Sequence, residues 1–251
     1  MRIPRFYFPD PLALGARVAL PPDAAHHAVR VLRLGENDLV RLFNGDGCEY
    51  RARIVRLDKQ AVVALIESGA PLSCESPLNV LLVQGISSGE RMDYTLQKSV
   101  ELGVGMIQPI QAERSVVKLS GERMLKRMQH WQSVVASACE QSGRNVVPEV
   151  RPVSGLMNWL GEQASGVGGQ ASGGELRIHL APDAELSLRD LEKPAGRVIL
   201  GAGPEGGFSD NEHLALRQGG FVAVKLGPRV LRTETAALAA LAALQILWGD
   251  Y

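Results

Sequence analysis

Net charge is the first thing this sequence lacks. Lysine plus arginine number 27 and aspartate plus glutamate number 27, so global electrostatics nominates neither a nucleic acid nor a membrane as partner. Any basic surface must be local. Cysteine is scarce as well. Cys48, Cys74 and Cys139 are odd in number, far apart and without C-x-x-C spacing, which argues against a disulfide framework or a structural zinc site and fits a reducing compartment. No apolar run reaches the length of about 18 residues that a membrane span needs, and the opening MRIPRFYFPDP lacks the apolar core of an export signal. No carboxylate or cysteine spacing around His26 and His27 suggests a metal ligand set. The expectation is a soluble cytoplasmic protein with no metal and no membrane partner.

The 251 residues, 45% of them apolar, suffice for one large domain or two ordinary ones. From Arg17 to Glu67 the pattern is of short β-like runs, RVALP, DLVRLF, CEYRARIVRL and QAVVALIE, separated by turn-forming pieces such as NGDG at Asn44–Gly47. That predicts a small β domain over residues 1–70. GAPLSCESP, Gly69–Pro77, carries two prolines and two serines without periodicity and reads as the linker. Over 71–251, strand-like LNVLLVQGI, MIQPIQA, ELRIHLAP, GRVILGAG and FVAVKLG alternate with helical patterns, including a long one from Gly121 to Gly143. Such alternation predicts a parallel sheet covered by helices on both faces. The Gly/Ser/Ala/Gln stretch 162–174 reads as a flexible surface loop without a function.

Charge is uneven along this organisation. Residues 1–60 hold ten basic side chains (Arg2, Arg5, Arg17, Arg30, Arg33, Arg41, Arg51, Arg53, Arg56 and Lys59) against seven acidic ones. The excess suits either a solvated face or a phosphate-contacting surface.

Gly201, Gly203 and Gly206 spell G-x-G-x-x-G after an apolar run, which raises the question of a dinucleotide-binding turn. A dinucleotide fold needs the fingerprint at its first strand, a second βαβ half behind it and an acidic residue about 20 positions on. Only 45 residues follow Gly206, the next strand-like run ends in Lys225 and Gly227, and Pro204 sits inside the turn. A nicotinamide dehydrogenase is therefore disfavoured. The loop instead leads into a helix marked by the S-x-x-E capping box of Ser209 and Glu212, a tightly held arrangement suited to backbone recognition of a flat ring. A second Gly/Pro turn, KLGPRVLRTETAAL, follows twenty residues later and opens a helix that Thr233 or Thr235 can cap. From Ala236 to Trp248 every residue but Gln245 is apolar, so that helix must be buried or pack on a second subunit.

GPEGGF (Gly203–Phe208) followed by LGPRVLRTETAAL (Leu226–Leu238) strongly resembles the ribosomal small-subunit RNA uridine N3-methyltransferases of the trefoil-knotted SPOUT superfamily. QKSVELGV (Gln97–Val104), ERS (Glu113–Ser115) and EQSGR (Glu140–Arg144) fall where that family has them, and the basic β domain is similar to its PUA-like domain. The resemblance covers the chain. Ala202 departs from it, standing where a larger aliphatic residue is usual.

The resemblance implies a knotted C-terminal domain that binds S-adenosylmethionine, with Leu180 and Ala181, Gly203, Pro204, Glu205, Gly206 and Gly207, and Leu226, Gly227, Leu231, Arg232, Thr233 and Thr235 forming the cofactor pocket. It implies methyl transfer to N3 of a uridine in 16S ribosomal RNA, free or in the small subunit, by a homodimer. Uridine N3 is a poor nucleophile until it loses its proton, so the site should hold a cation that favours the anion, a carboxylate that takes the proton, or both. Arg114 and Arg232 are candidates for the first role and Glu205 or Glu234 for the second. Glu101 and Glu140, with Lys98, read as structural anchors. RNA contacts are expected from Arg2, Arg5, Arg30, Arg33, Arg114, Lys118 and Arg144, with Arg123, Lys126, Arg127 and His130 on the long helix as an extension around an apolar stripe of Leu125, Met128, Trp131 and Val135. Ribose 2′-O-methylation is the rival within the same fold, and a non-catalytic RNA-binding module would leave both glycine loops unexplained.

Overall fold

The structure, a computed structural model, describes residues 3–58, 61–165 and 174–251. Arg2, Lys59 and most of the Gly-rich stretch 162–174 lie outside the described residues. Contacts divide the chain into two compact units, Met1–Glu75 with Ala136–Val147, and Ser76–Val135 with Pro148–Tyr251.

The first unit is built on strands β1 (Arg5–Tyr7), β2 (Arg17–Ala19), β3 (Leu39–Phe43), β4 (Cys48–Leu57) and β5 (Val62–Pro71), in the order β1-β3-β4-β5-β2. The short helix α1 (Pro22–His26) runs straight into a π-helical turn at His27–Val31. Alternation decides which side chains go inward: Val40 and Leu42 of β3, Ala52 and Ile54 of β4, and Val62, Ala64 and Ile66 of β5 are buried together with Phe6, Leu20 and Ala28. The β3–β4 turn uses local side-chain bonds, with Asn44 Oδ1 accepting from the Asp46 N–H at 3.2 Å and Asp46 Oδ1 accepting from the Cys48 N–H at 2.8 Å. The stretch read as a linker starts differently. Gly69, Ala70 and Pro71 continue β5, because the start of β4 pairs with them.

The second unit carries a wholly parallel sheet. Its strands are β6 (Val80–Gly85), β7 (Met106–Gln111), β8 (Glu149–Val150), β9 (Ser154–Gly155), β10 (Leu176–Leu180), β11 (Leu186–Ser187), β12 (Val198–Ala202) and β13 (Val222–Lys225). The order is β11-β13-β10-β12-β6-β7-β8, with β9 also paired to β7. The late strand β13 thus lies between the earlier strands β10 and β11. Helices α2 (Gly89–Glu101), α3 (Gly121–Ser142), α4 (Leu156–Ala164), α5 (Asp210–Gln218) and α6 (Thr233–Trp248) complete the chain. Leu81, Val83, Ile110 and Ile199 of the strands pack with Leu156 and Trp159 of α4, Leu216 of α5, and Phe208 and Phe221.

One sequence expectation changes here, and for α6 one of the two stated alternatives is met. In α3, Trp131 and Val135 are buried and Met128 half-buried, but Leu125 is 59% exposed, so the apolar stripe starts one turn later than expected. In α6 a single stripe does face this chain's own core: Ala237, Ala240, Leu241 and Leu244 are fully buried. The one polar residue of the run explains itself. Gln245, buried, accepts from the Ser76 hydroxyl at 2.7 Å and donates to the Leu102 carbonyl at 2.9 Å, which satisfies a polar group that would otherwise be costly to bury. The opposite flank stays open, with Ile246 67% and Leu247 41% exposed.

Candidate active site

The sheet ends its strands β10, β12 and β13 in three loops, and these wall one cavity of about 600 Å³, within the range of about 300–1,000 Å³ usual for small-ligand sites. Crevices at the carboxyl ends of parallel strands are where such folds bind ligands. Leu180, Ala181, Gly203, Pro204, Glu205, Gly206, Gly207, Leu226, Gly227, Leu231, Arg232 and Thr233 all line it, as do Arg114 and Glu234. Thr235 alone of the expected pocket residues is not among the lining side chains, and it points to solvent.

The second loop is held by α5. Ser209 is the N-cap, accepting from the Glu212 N–H, and Glu212 Oε2 accepts from the Ser209 N–H at 2.9 Å, the capping box expected. Glu212 also reaches across the fold, its Oε1 accepting from the Glu113 N–H at 2.9 Å. The ERS segment is thereby tied to the glycine loop, and Arg114 completes the tie by donating from Nη1 to the Gly206 and Phe208 carbonyls, each at 3.3 Å. A Cβ placed on Gly206 would come within 2.9 Å of the Arg114 Cβ. That glycine therefore makes room for Arg114 while also lining the cavity. Gly207 has a different reason, a φ of +68° with open space around its missing Cβ, which only glycine adopts cheaply.

The third loop is tied to the second by Thr233. Neither Thr233 nor Thr235 caps α6; the N-cap is Arg232, with no side-chain cap. The Thr233 hydroxyl instead donates to the Gly203 carbonyl at 2.6 Å and accepts from Gln84 Nε2 at 3.2 Å.

Arg91, on the first turn of α2, is a cavity-lining side chain that sequence reading missed. It lines the cavity, donates to Glu205 Oε1 at 3.1 Å and lies 4.0 Å from Glu234 Oε1. The Ser88 N–H and hydroxyl each donate to the same Glu205 oxygen at 2.8 Å. Burial pushes the Glu205 carboxyl up, but the hydrogen bonds from the Ser88 N–H, its own N–H, the Ser88 hydroxyl and Arg91 outweigh it and hold the group below the usual carboxylate range. Glu205 Oε2 and Glu234 Oε2 are buried without a partner, two acceptors that a ligand or substrate proton can satisfy. Five basic side chains line the cavity, Arg91, Arg114, Lys225, Arg229 and Arg232, against Glu205 and Glu234. The positive field that the whole sequence lacks is gathered here.

The other expected positions divide. Arg30, Arg33 and Lys118 are exposed, as RNA contacts must be. Arg5 and Arg144 are not on a surface track. Arg5 is buried, pairs with Glu49 and donates to the Arg144 carbonyl at 3.0 Å, while Arg144 is buried with Nε 2.9 Å from Glu75. Each guanidinium is spent inside the first unit, a disposition that residue type alone does not reveal. Arg123, Lys126 and His130 are exposed and Arg127 half-buried. Lys126 pairs with Glu122 and His130 with Asp93. The anchors behave as expected: Glu140 accepts from the Tyr7 N–H at 2.8 Å, and Lys98 pairs with Glu101 at 2.7 Å.

A parallel sheet whose strand-end loops wall a basic pocket, in a chain that also carries a small β domain, is the architecture of RNA-modifying methyltransferases. The family model described as an RNA methyltransferase domain matches residues 74–245, and that of an RNA methyltransferase PUA domain matches 20–67. Ribosomal RNA small subunit methyltransferase E of Buchnera aphidicola is 34% identical, over 99% of this chain and 98% of that protein, and the Bacillus subtilis protein of that name is 32% identical over 91% of each. The crystal structure of the Neisseria gonorrhoeae ribosomal RNA small subunit methyltransferase E bound to S-adenosyl methionine is 44% identical, with a TM-score of 0.89 and full coverage of both chains. A putative methyltransferase from Legionella pneumophila, also in complex with that cofactor, is 41% identical, with a TM-score of 0.92 and full coverage. This chain belongs to the ribosomal RNA small subunit methyltransferase E family.

Proposed function

We propose that this protein transfers a methyl group from S-adenosylmethionine to N3 of a uridine in 16S ribosomal RNA, and that it works in the cytoplasm as a homodimer. The observation that carries the reading is the convergence of both glycine loops, Arg91 and Arg114 on one basic cavity, in a chain aligned over its full length with relatives solved with that cofactor. The residues present suit the group. The cavity has the volume for a nucleoside, its loops offer backbone rather than long side chains, and two buried carboxylate oxygens wait for partners.

S-adenosylmethionine, when bound, supplies a methyl group already activated on a sulfonium sulfur. The chain's own work is then to place the base and manage one proton. Arg114 and Arg232, at the cavity wall, stabilise the uridine anion. Glu205 is held ionised by Ser88 and Arg91 and orients that arginine. Glu234, whose Oε2 has no partner and whose other oxygen is 4.0 Å from Arg91, takes the N3 proton. The β domain, residues 1–70, contributes RNA affinity through Arg30 and Arg33, and the open flank of α6 meets a second copy of the chain.

Calorimetric titration with S-adenosylmethionine, followed by transfer of labelled methyl to under-methylated small ribosomal subunits or their RNA, tests the reading. Binding and label in 16S RNA are expected. A folded protein that binds the cofactor but labels no ribosomal RNA would refute it.

A further inference from the structure

At the cavity wall and behind it lie two histidines that neither the motifs nor the proposed chemistry employ. His179, on β10, is fully buried, and its Nε2 lies 3.1 Å from Nδ1 of His213 on α5. His213 lines the cavity; His179 does not. The rings are 5.1 Å apart, and the His213 ring meets Phe208 edge-on at 5.9 Å. Packing and the α5 cap thus fix where His213 stands.

The bond also fixes which nitrogen carries its proton. Burial, aided by His213 and Arg217, pushes the His179 ring down to about 4, so at neutral pH it is uncharged and owns a single N–H. If that proton sat on Nδ1, it would be a buried donor facing nothing, because His179 Nδ1 has no partner. Orphaned buried N–H groups are rare and expensive, and a bare lone pair in the same place is cheaper. The proton therefore sits on Nε2 and is donated to His213 Nδ1. His213 in its neutral form must then carry its own proton on Nε2, and nothing among the described residues bonds that nitrogen.

Of the side chains lining the cavity, only His213 and Thr233 are polar without a formal charge in these forms, and the Thr233 hydroxyl is spent on Gly203 and Gln84. Leu180, Ala202, Phe208 and Val224 line the same cavity. A fixed, uncharged N–H donor beside apolar wall residues is how pockets orient a heteroaromatic ring.

We propose that His213 reads the adenosyl group of S-adenosylmethionine, donating from Nε2 to an acceptor on that group, and that buried His179 holds His213 in the donor tautomer. This rests on the cavity being the cofactor site. His213 is a binding residue; His179 acts only through it.

The chain has five histidines, few enough for long-range proton–nitrogen NMR to assign every ring nitrogen. The spectrum should show both His179 and His213 protonated on Nε2, with the His213 Nε2 signal shifting when S-adenosylmethionine is added. By calorimetry, His213→Phe should weaken S-adenosylmethionine binding about tenfold, the loss of one well-placed hydrogen bond, and His213→Gln should recover most of it. His179→Phe should weaken it less, while the spectrum of that variant shows His213 in both tautomers. Should His179→Phe fail to fold, the wild-type spectrum still decides. A His179 proton on Nδ1, or wild-type affinity in folded His213→Phe, overturns the inference and leaves the cofactor site standing. No binding heat with the wild-type protein would instead overturn the cofactor site and this inference together.

Discussion

The Thr233 hydroxyl donates to the Gly203 carbonyl oxygen at 2.6 Å, so the first residue of α6 and the first residue of the GPEGGF loop are one mechanical unit. Gln84, at the end of β6, donates to the same hydroxyl at 3.2 Å. Thr233→Val keeps the shape and removes both bonds, leaving a half-buried carbonyl and a buried amide short of partners. The cost should be about 1–3 kcal/mol of stability, with S-adenosylmethionine affinity falling as the two loops uncouple. Thermal unfolding and calorimetry on the folded variant measure the two effects.

Gly206→Ala should separate cofactor binding from transfer. The new Cβ meets the Arg114 Cβ at 2.9 Å, closer than real carbons approach, so the Arg114 segment must shift. Transfer rate is expected to fall at least tenfold with cofactor affinity within about threefold, read as kcat against Kd. Equal loss of both would place Gly206 against the cofactor instead.

Glu205 supplies a pH signature. Its folded carboxyl is depressed below its unfolded value, so the stability it adds is present above the unfolded range, near about 4.3, and disappears as pH falls through the folded value. Glu205→Gln should therefore be less stable than wild type at pH 7, with the two converging below about pH 4. Unfolding followed in urea across that window is the measurement. A difference that persists at pH 2–3 would deny the ionised carboxylate its role.

Much of this was legible from sequence wherever cause and effect are near neighbours. The S-x-x-E box of Ser209 and Glu212, the NGDG turn and the ten-residue run of β4 all state their structure locally. What escaped is non-local. Arg91 gains its role from Glu205, 114 positions on; Glu212 doubles as an acceptor for Glu113, 99 positions back. Arg5 and Arg144 look like surface charges until Glu49 and Glu75 are folded beside them. The two-residue strands β8, β9 and β11 are too short to show any period.

The homodimer is tested on the open flank of α6. Leu241 and Leu244 are fully buried within this chain, so charges there should unfold it. Ile246→Glu and Leu247→Glu, by contrast, change exposed positions and should give folded monomer with reduced transfer. Sedimentation velocity distinguishes these cases, and an undisturbed dimer in the double variant would move the interface elsewhere.

RNA affinity should reside in exposed Arg30 and Arg33. Reversing both to glutamate is expected to weaken RNA binding and flatten its salt dependence by about one unit of slope per lost phosphate contact, with S-adenosylmethionine affinity unchanged. Titrations between low and moderate salt show the slope directly.

The central claim is the atom that receives the methyl group. Under-methylated small subunits incubated with this protein and labelled S-adenosylmethionine, digested to nucleosides and separated by chromatography with mass detection, identify it. The account predicts label in 3-methyluridine, lost in Glu234→Gln and in Arg114→Ala. Label in a 2′-O-methyl nucleoside, or in any base other than uridine, would contradict it.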